Sequence, residues 1–155
     1  RYLATNTRRT ANATLAITKT SAPVSDPVNG TTGPLLIPGA IVRYTLQVSN
    51  SGSLPVDSNT VVLIDSLPAN IRVGSAASPV FTQGSPTSGL TFTAGTDLRF
   101  SNAASAPASF AACTYTPVST YDPAVRYLCL NPKGIMAAST GTPPSFTISF
   151  NARVN

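Results

Sequence analysis

Two stretches of the chain alternate apolar and polar positions strictly enough to define strands. Val42, Tyr44, Leu46 and Val48 alternate with Arg43, Thr45, Gln47 and Ser49, and Phe146, Ile148, Phe150, Ala152 and Val154 alternate with Thr147, Ser149, Asn151 and Arg153. A period of two with one apolar face predicts a half-buried strand whose other face is wet. A shorter case is Ala13–Lys19, where Leu15 and Ile17 oppose Thr14 and Thr18. Thr60–Asp65 is a more continuous apolar run, stopped by Ser66-Leu67-Pro68. Asn50-Ser51-Gly52 lies between two of these runs and carries turn chemistry, because Asn and Gly both tolerate positive φ. Pro38–Pro68 therefore predicts a strand, a turn and a second strand.

Between and beyond these runs, short strands are expected at Ile71–Val73, Pro79–Thr82, Leu90–Thr93, Asp97–Ser101, Cys113–Thr116 and Val125–Leu130. Ser21–Pro34 is rich in Pro, Gly, Asp and Asn and predicts a loop. Asn102–Ala112 is rich in Ala, but Pro107 in its middle argues against a helix. No stretch predicts a helix of three turns. Short strands separated by turn signals imply an all-β fold, an antiparallel Ig-like β-sandwich, with a closed barrel as the second choice. Residues 1–12 show little periodicity and read as an extended N-terminal arm, which leaves 13–155 as one domain.

Composition narrows the chemistry. The 155 residues are 42% hydrophobic, enough for a core, while only 10% are charged, well below the roughly 25% of an ordinary soluble domain. The chain contains no His, no Glu and no Trp. Catalysis at neutral pH usually recruits His or a tuned Glu as its base, so an enzyme is not expected, nor is a cofactor or a His-ligated metal site. The net charge of +5 comes from eight Arg and two Lys against five Asp. These cations are spread along the chain rather than clustered, apart from Arg1, Arg8 and Arg9, so nucleic acid is not an expected partner.

Cys113 and Cys129 are the two cysteines, with fifteen residues between them. With no His and no second pair they do not make a zinc site; a disulfide is expected, and with it an oxidising compartment. No apolar run is long enough to span a membrane, and a signal peptide, if the protein is secreted, has been removed. Asp65 could ligate calcium with Asp26, Asp57 or Asp97, but no acidic cluster supports this and a turn-capping role is the simpler one. Lys19, Asp65 and Asn151 raise an internal isopeptide crosslink, which the alternation opposes by placing Asn151 on the polar face. Asn12-Ala13-Thr14 and Asn29-Gly30-Thr31 match the N-glycosylation acceptor pattern, a triplet common by chance in a chain this rich in Asn and Thr. Tyr44 is most simply core.

Lys19-Thr20-Ser21-Ala22-Pro23, PGAIVRYTLQVSNSG (38–52) and VVLIDSLP (61–68) together resemble the bacterial conserved-repeat domain of unknown function found in large surface and adhesin-like proteins. FTISFNARVN at the end resembles that family's closing strand. The resemblance implies an Ig-like sandwich, a secreted or cell-surface location and no catalysis. It also leaves two departures, a single copy and a Cys-bearing insertion in the middle. A single copy cannot build a stalk covalently, so a stalk needs polymerisation of identical subunits. The expectation is therefore a fibre or filament subunit whose arm, with Tyr2, Leu3, Arg8 and Arg9 as contact residues, docks on its neighbour by strand addition. The alternative is an adhesin domain that contacts a cell envelope or host surface, recognising protein or glycan through loops, with Tyr121 and Asp122 in the Tyr115–Tyr127 loop as the candidate ligand residues.

Overall fold

The computed structural model describes residues 12–155. Their strands are β1 (Leu15–Ser25), β2 (Ile41–Asn50), β3 (Leu63–Ser66), β4 (Ile71–Arg72), β5 (Val80–Gln83), β6 (Leu98–Ser101), β7 (Tyr127–Leu130) and β8 (Ser145–Val154). One short helical turn, Ala94–Asp97, and two 3-10 turns complete the regular structure of the described residues. The fold is all-β, in two antiparallel sheets. The first runs in the order β1-β2-β8-β4, with β5 also paired to β8, and the second in the order β3-β7-β6.

The two strictly alternating stretches, β2 and β8, lie side by side at the centre of the first sheet. Their register places Val42 opposite Ala152, Tyr44 opposite Phe150, Leu46 opposite Ile148 and Val48 opposite Phe146. Those residues make the inner face, and the Tyr44 and Phe150 rings stack with centroids 5.6 Å apart. Leu63 from β3 and Leu128 and Leu130 from β7 meet them in one core, which Met136, Val61 and Leu90 extend. The alternation is strict here because a central strand buries one face and wets the other.

The expected hairpin of Pro38–Pro68 does not form. β2 pairs with β1 and β8, whereas β3 pairs with β7 in the other sheet, so Asn50–Val62 carries the chain from one sheet to the other. Gly52 is not needed for a positive φ, since it is absent from the left-handed positions. Its role is close approach: a Cβ there would lie 2.1 Å from the Asn12 carbonyl oxygen and 2.5 Å from the Thr14 nitrogen.

β1 is longer than the Ala13–Lys19 run and continues through Ser21-Ala22-Pro23 into the expected loop. Pro23 is compatible with a strand that, among the described residues, has a neighbour on one side only, where a missing N–H breaks no central ladder, and the register shifts just after it. Leu90–Thr93 and Cys113–Thr116 are not strands; each contributes a single bridge, Thr91 to Lys133 and Tyr115 to Phe100. Cys113 and Cys129 are disulfide-bonded, and both are buried. No helix of the described residues is long and apolar enough to cross a membrane.

Candidate functional site

The feature that stands out is β1. Antiparallel pairing turns facing residues to the same side, so Leu15, Ile17, Lys19, Ser21 and Pro23 point with Val48, Leu46, Tyr44 and Val42 toward the inner face. Yet Leu15 is 47% and Ile17 54% exposed. The three strands of the second sheet do not cover this end of the first. An ion pair joins β1 to that sheet: Lys19 Nζ lies 2.7 Å and 2.8 Å from the two carboxylate oxygens of Asp65 on β3. The same ammonium sits 4.5 Å from the centroid of the Tyr44 ring.

Among the described residues, β2 is the one strand paired with β1, and they leave its other edge open. Natural edge strands are usually blunted by charges, prolines or bulges. Here Pro23 and the register shift beside it blunt the far end alone. Over Leu15–Ala22 the one charge is Lys19, and Asp65 holds it. The chain reaches β1 along the crossing segment: Ser51 N–H donates to the Thr14 carbonyl (2.9 Å) and Leu54 N–H to the Asn12 carbonyl (3.3 Å). The four expected arm contacts, Tyr2, Leu3, Arg8 and Arg9, lie outside the described residues.

The second candidate, the Tyr121-Asp122 pair, is divided by the fold. Asp122 is buried and accepts hydrogen bonds at 2.8 Å from the Tyr115 hydroxyl and from the backbone N–H groups of Val118 and Ala124. Those two N–H groups, Val118 first, hold its carboxyl below the usual carboxylate range. Asp122 thus organises its own loop from within instead of presenting a carboxylate to a ligand. Tyr121 faces the other way, onto the outer side of the first sheet, with the Arg153 guanidinium 4.8 Å from its ring centroid.

The remaining carboxylates are also engaged separately. Asp26 accepts from Leu35 N–H (2.6 Å) and from Val28 and Asn29 N–H (2.7 Å each), closing the loop after β1. The Asn29 and Leu35 N–H groups lead in holding its carboxyl at about 2. Asp97 accepts from Thr93 N–H and stands 3.9 Å from Lys133. No three of His, Cys, Asp or Glu gather as a metal site among the described residues, so Asp65 meets Lys19 and not the other carboxylates named for calcium. Lys19 and Asn151 also part company, Lys19 pointing inward while Asn151 accepts from Arg43 Nε on the outer side.

No family model, curated protein or solved structure matches this chain.

The carboxylates imply a distinctive acid response. Asp26 and Asp122 have folded pKa values below the ordinary one, so their stabilisation is complete above the unfolded pKa of about 4 and is lost as pH falls through the folded values. Asp65 is shifted the opposite way, burial outweighing the Lys19 contact, so it opposes folding at neutrality and ceases to do so once protonated. Urea midpoints should hold steady or rise slightly from neutrality down to about pH 4, then fall toward pH 2. Asp65→Asn should remove the first trend, and Asp26→Asn should flatten the second. A wild-type midpoint that falls steadily from pH 7 would contradict the assignment.

Proposed function

We propose that this chain is a structural subunit, an Ig-like β-sandwich secreted to the cell surface, that joins copies of itself into a fibre. The N-terminal arm of one copy adds as a strand to the free edge of β1 in the next. The observation that carries this reading is the edge of Leu15–Ala22, left open by the described residues, above the exposed side chains of Leu15 and Ile17. An added strand would gain main-chain hydrogen bonds along that edge, and its apolar side chains would cover the exposed pair. A contact of arm to edge uses two different surfaces of the subunit, and such head-to-tail contacts give open filaments when the rotation does not close.

Three further points support it. The disulfide fits an oxidising compartment. The few charges and many hydroxyls suit an extracellular structural protein, and the resemblance of residues 15–68 to a bacterial surface repeat points the same way. The alternative of an adhesin acting through the Tyr115–Tyr127 loop has less support, because Asp122 faces inward.

Negative-stain microscopy of three proteins tests the proposal: the full chain, the chain lacking residues 1–11, and the full chain with Ile17→Lys. Filaments are expected for the first alone, since an inward-pointing charge on an edge strand opposes strand addition. Filaments that survive loss of residues 1–11 would remove the arm from the mechanism. Monomers in all three samples would end the fibre reading.

A further inference from the structure

The outer face of the first sheet carries an arrangement that the fibre reading does not use. Strand register places Arg72 of β4 directly opposite Arg153 of β8. Facing residues have Cβ atoms about 4.5–5.5 Å apart, and like charges in that position are destabilising. Arg43 of β2 faces Asn151, two residues from Arg153 on the same side, so its Cβ lies within about 8 Å of that of Arg153. Three guanidinium-bearing residues therefore stand together on one face. None of the outward positions of β1, β2, β4, β5 or β8 is acidic, and the ion pairs of the described residues use Lys19 and Lys133 alone.

The side chains are held but their charge is not neutralised. Arg43 Nε donates to Asn151 Oδ1 at 3.1 Å. Arg72 Nη1 donates to the carbonyls of Ala69 (2.6 Å) and Ile71 (3.1 Å). Arg153 packs on the Tyr121 ring, and its Nε is buried without a hydrogen-bond partner. A like-charge pair with no acidic neighbour is a cost that a bound anion would relieve. Beside the arginines, Thr45, Gln47, Thr147 and Ser149 continue the outward face as a strip of hydroxyls and an amide.

We propose that this face binds an anionic glycan, its sulfate or phosphate ester groups held by Arg43, Arg72 and Arg153 and its sugar hydroxyls by the adjoining polar strip. Single-stranded nucleic acid fits less well, because such sites stack bases on exposed aromatic rings and Tyr121 is already covered by Arg153. The proposal is independent of the fibre reading and concerns a different surface from the β1 edge.

The test is calorimetric titration of the full chain with a sulfated octasaccharide, the same octasaccharide desulfated, and inorganic polyphosphate of matched charge. Saturable binding is expected for the sulfated sugar, weaker for polyphosphate and absent for the desulfated sugar. Arg43→Gln and Arg153→Gln should each weaken binding roughly tenfold, the loss of one charge-assisted hydrogen bond. Arg99→Gln should not, because Arg99 lies in the second sheet against Phe110. Arg43 is exposed, so its variant tests the site even if Arg153→Gln folds poorly. Equal losses in the Arg43 and Arg99 variants would reduce the effect to net charge and overturn the site. Polyphosphate binding as tightly as the sulfated sugar would overturn the assignment to a glycan.

Discussion

Asn50→Ala should cost roughly 3–5 kcal/mol and detach the start of β1 from the crossing segment. Asn50 is fully buried, and every hydrogen-bonding position of its amide is directed at backbone. Its Oδ1 accepts from Thr14 N–H and Gly52 N–H, both at 3.0 Å, and its Nδ2 donates to the carbonyls of Leu54 (3.0 Å) and Ala137 (2.9 Å). Alanine leaves all four groups without that partner, and a buried group left unsatisfied costs about 1–3 kcal/mol. Thr14 lies near the surface and can recover a water, so the total falls short of four full penalties. Against a typical stability of about 5–15 kcal/mol the loss is large.

Asn50→Asp separates hydrogen bonding from shape. It keeps both accepted bonds but faces a carboxylate toward two carbonyl oxygens in a buried site. Burial and those oxygens raise its folded pKa, so the folded state takes up the proton and the variant regains stability as pH falls through that value. Urea denaturation at pH 7 and pH 5 reads the difference, and exchange of the Thr14 and Gly52 amides should quicken more in Asn50→Ala than in Asn50→Asp. An Asn50→Ala cost below about 1 kcal/mol would mean that the site rearranges to serve these groups another way.

Asn50 also shows where sequence and structure meet. Its position after the β2 alternation marked a turn, and Gly52 two residues later strengthened that reading. Both residues do end the strand, but through packing: the amide is a hub for four backbone groups, and the glycine lets Asn12–Thr14 pass. Alternation in β2 and β8 was legible because each buries one face in the core. What alternation does not encode is which strand lies alongside, and so Pro38–Pro68 suggested a hairpin where the chain changes sheets. The same gap hid the Arg72–Arg153 pair, which exists only through the register of strands far apart in sequence.

β1 exposes a different limit. Leu15 and Ile17 alternate with Thr14 and Thr18 as in a half-buried strand, and they do point inward, but among the described residues no second layer lies over them. A one-dimensional pattern records direction and not cover. The carboxylates were more readable than they first looked. Asp26 and Asp122 each precede a proline and each accepts from the N–H two residues on, Val28 and Ala124. This is the Asx-turn habit of Asp, and the shared Asp-Pro dipeptide was the signal that both serve their loops from within.

Removing the Cys113–Cys129 bridge should destabilise the chain by about 3 kcal/mol, the chain-entropy value for a loop of this size. The half-cystines are separated by 16 positions, and the loop they close contains Asp122 with its three donors, as well as buried Val125. Cys113→Ala with Cys129→Ala is the appropriate variant, because both sites are buried and serine would add unpartnered hydroxyls. For a domain of this length the loss corresponds to a melting temperature lower by roughly 6–12 °C. Reductant should bring the wild-type melt down toward that of the double variant and leave the variant unchanged. A wild-type melt indifferent to reductant, under conditions where mass analysis finds two free thiols, would show that the loop needs no covalent closure. Asp122→Ala weakens the same loop by freeing Val118 and Ala124 N–H and the Tyr115 hydroxyl. Once either restraint is gone the other has less order to preserve, so the two changes together should cost less than their sum. Full additivity would mean that Asp122 and the disulfide hold separate parts of the structure.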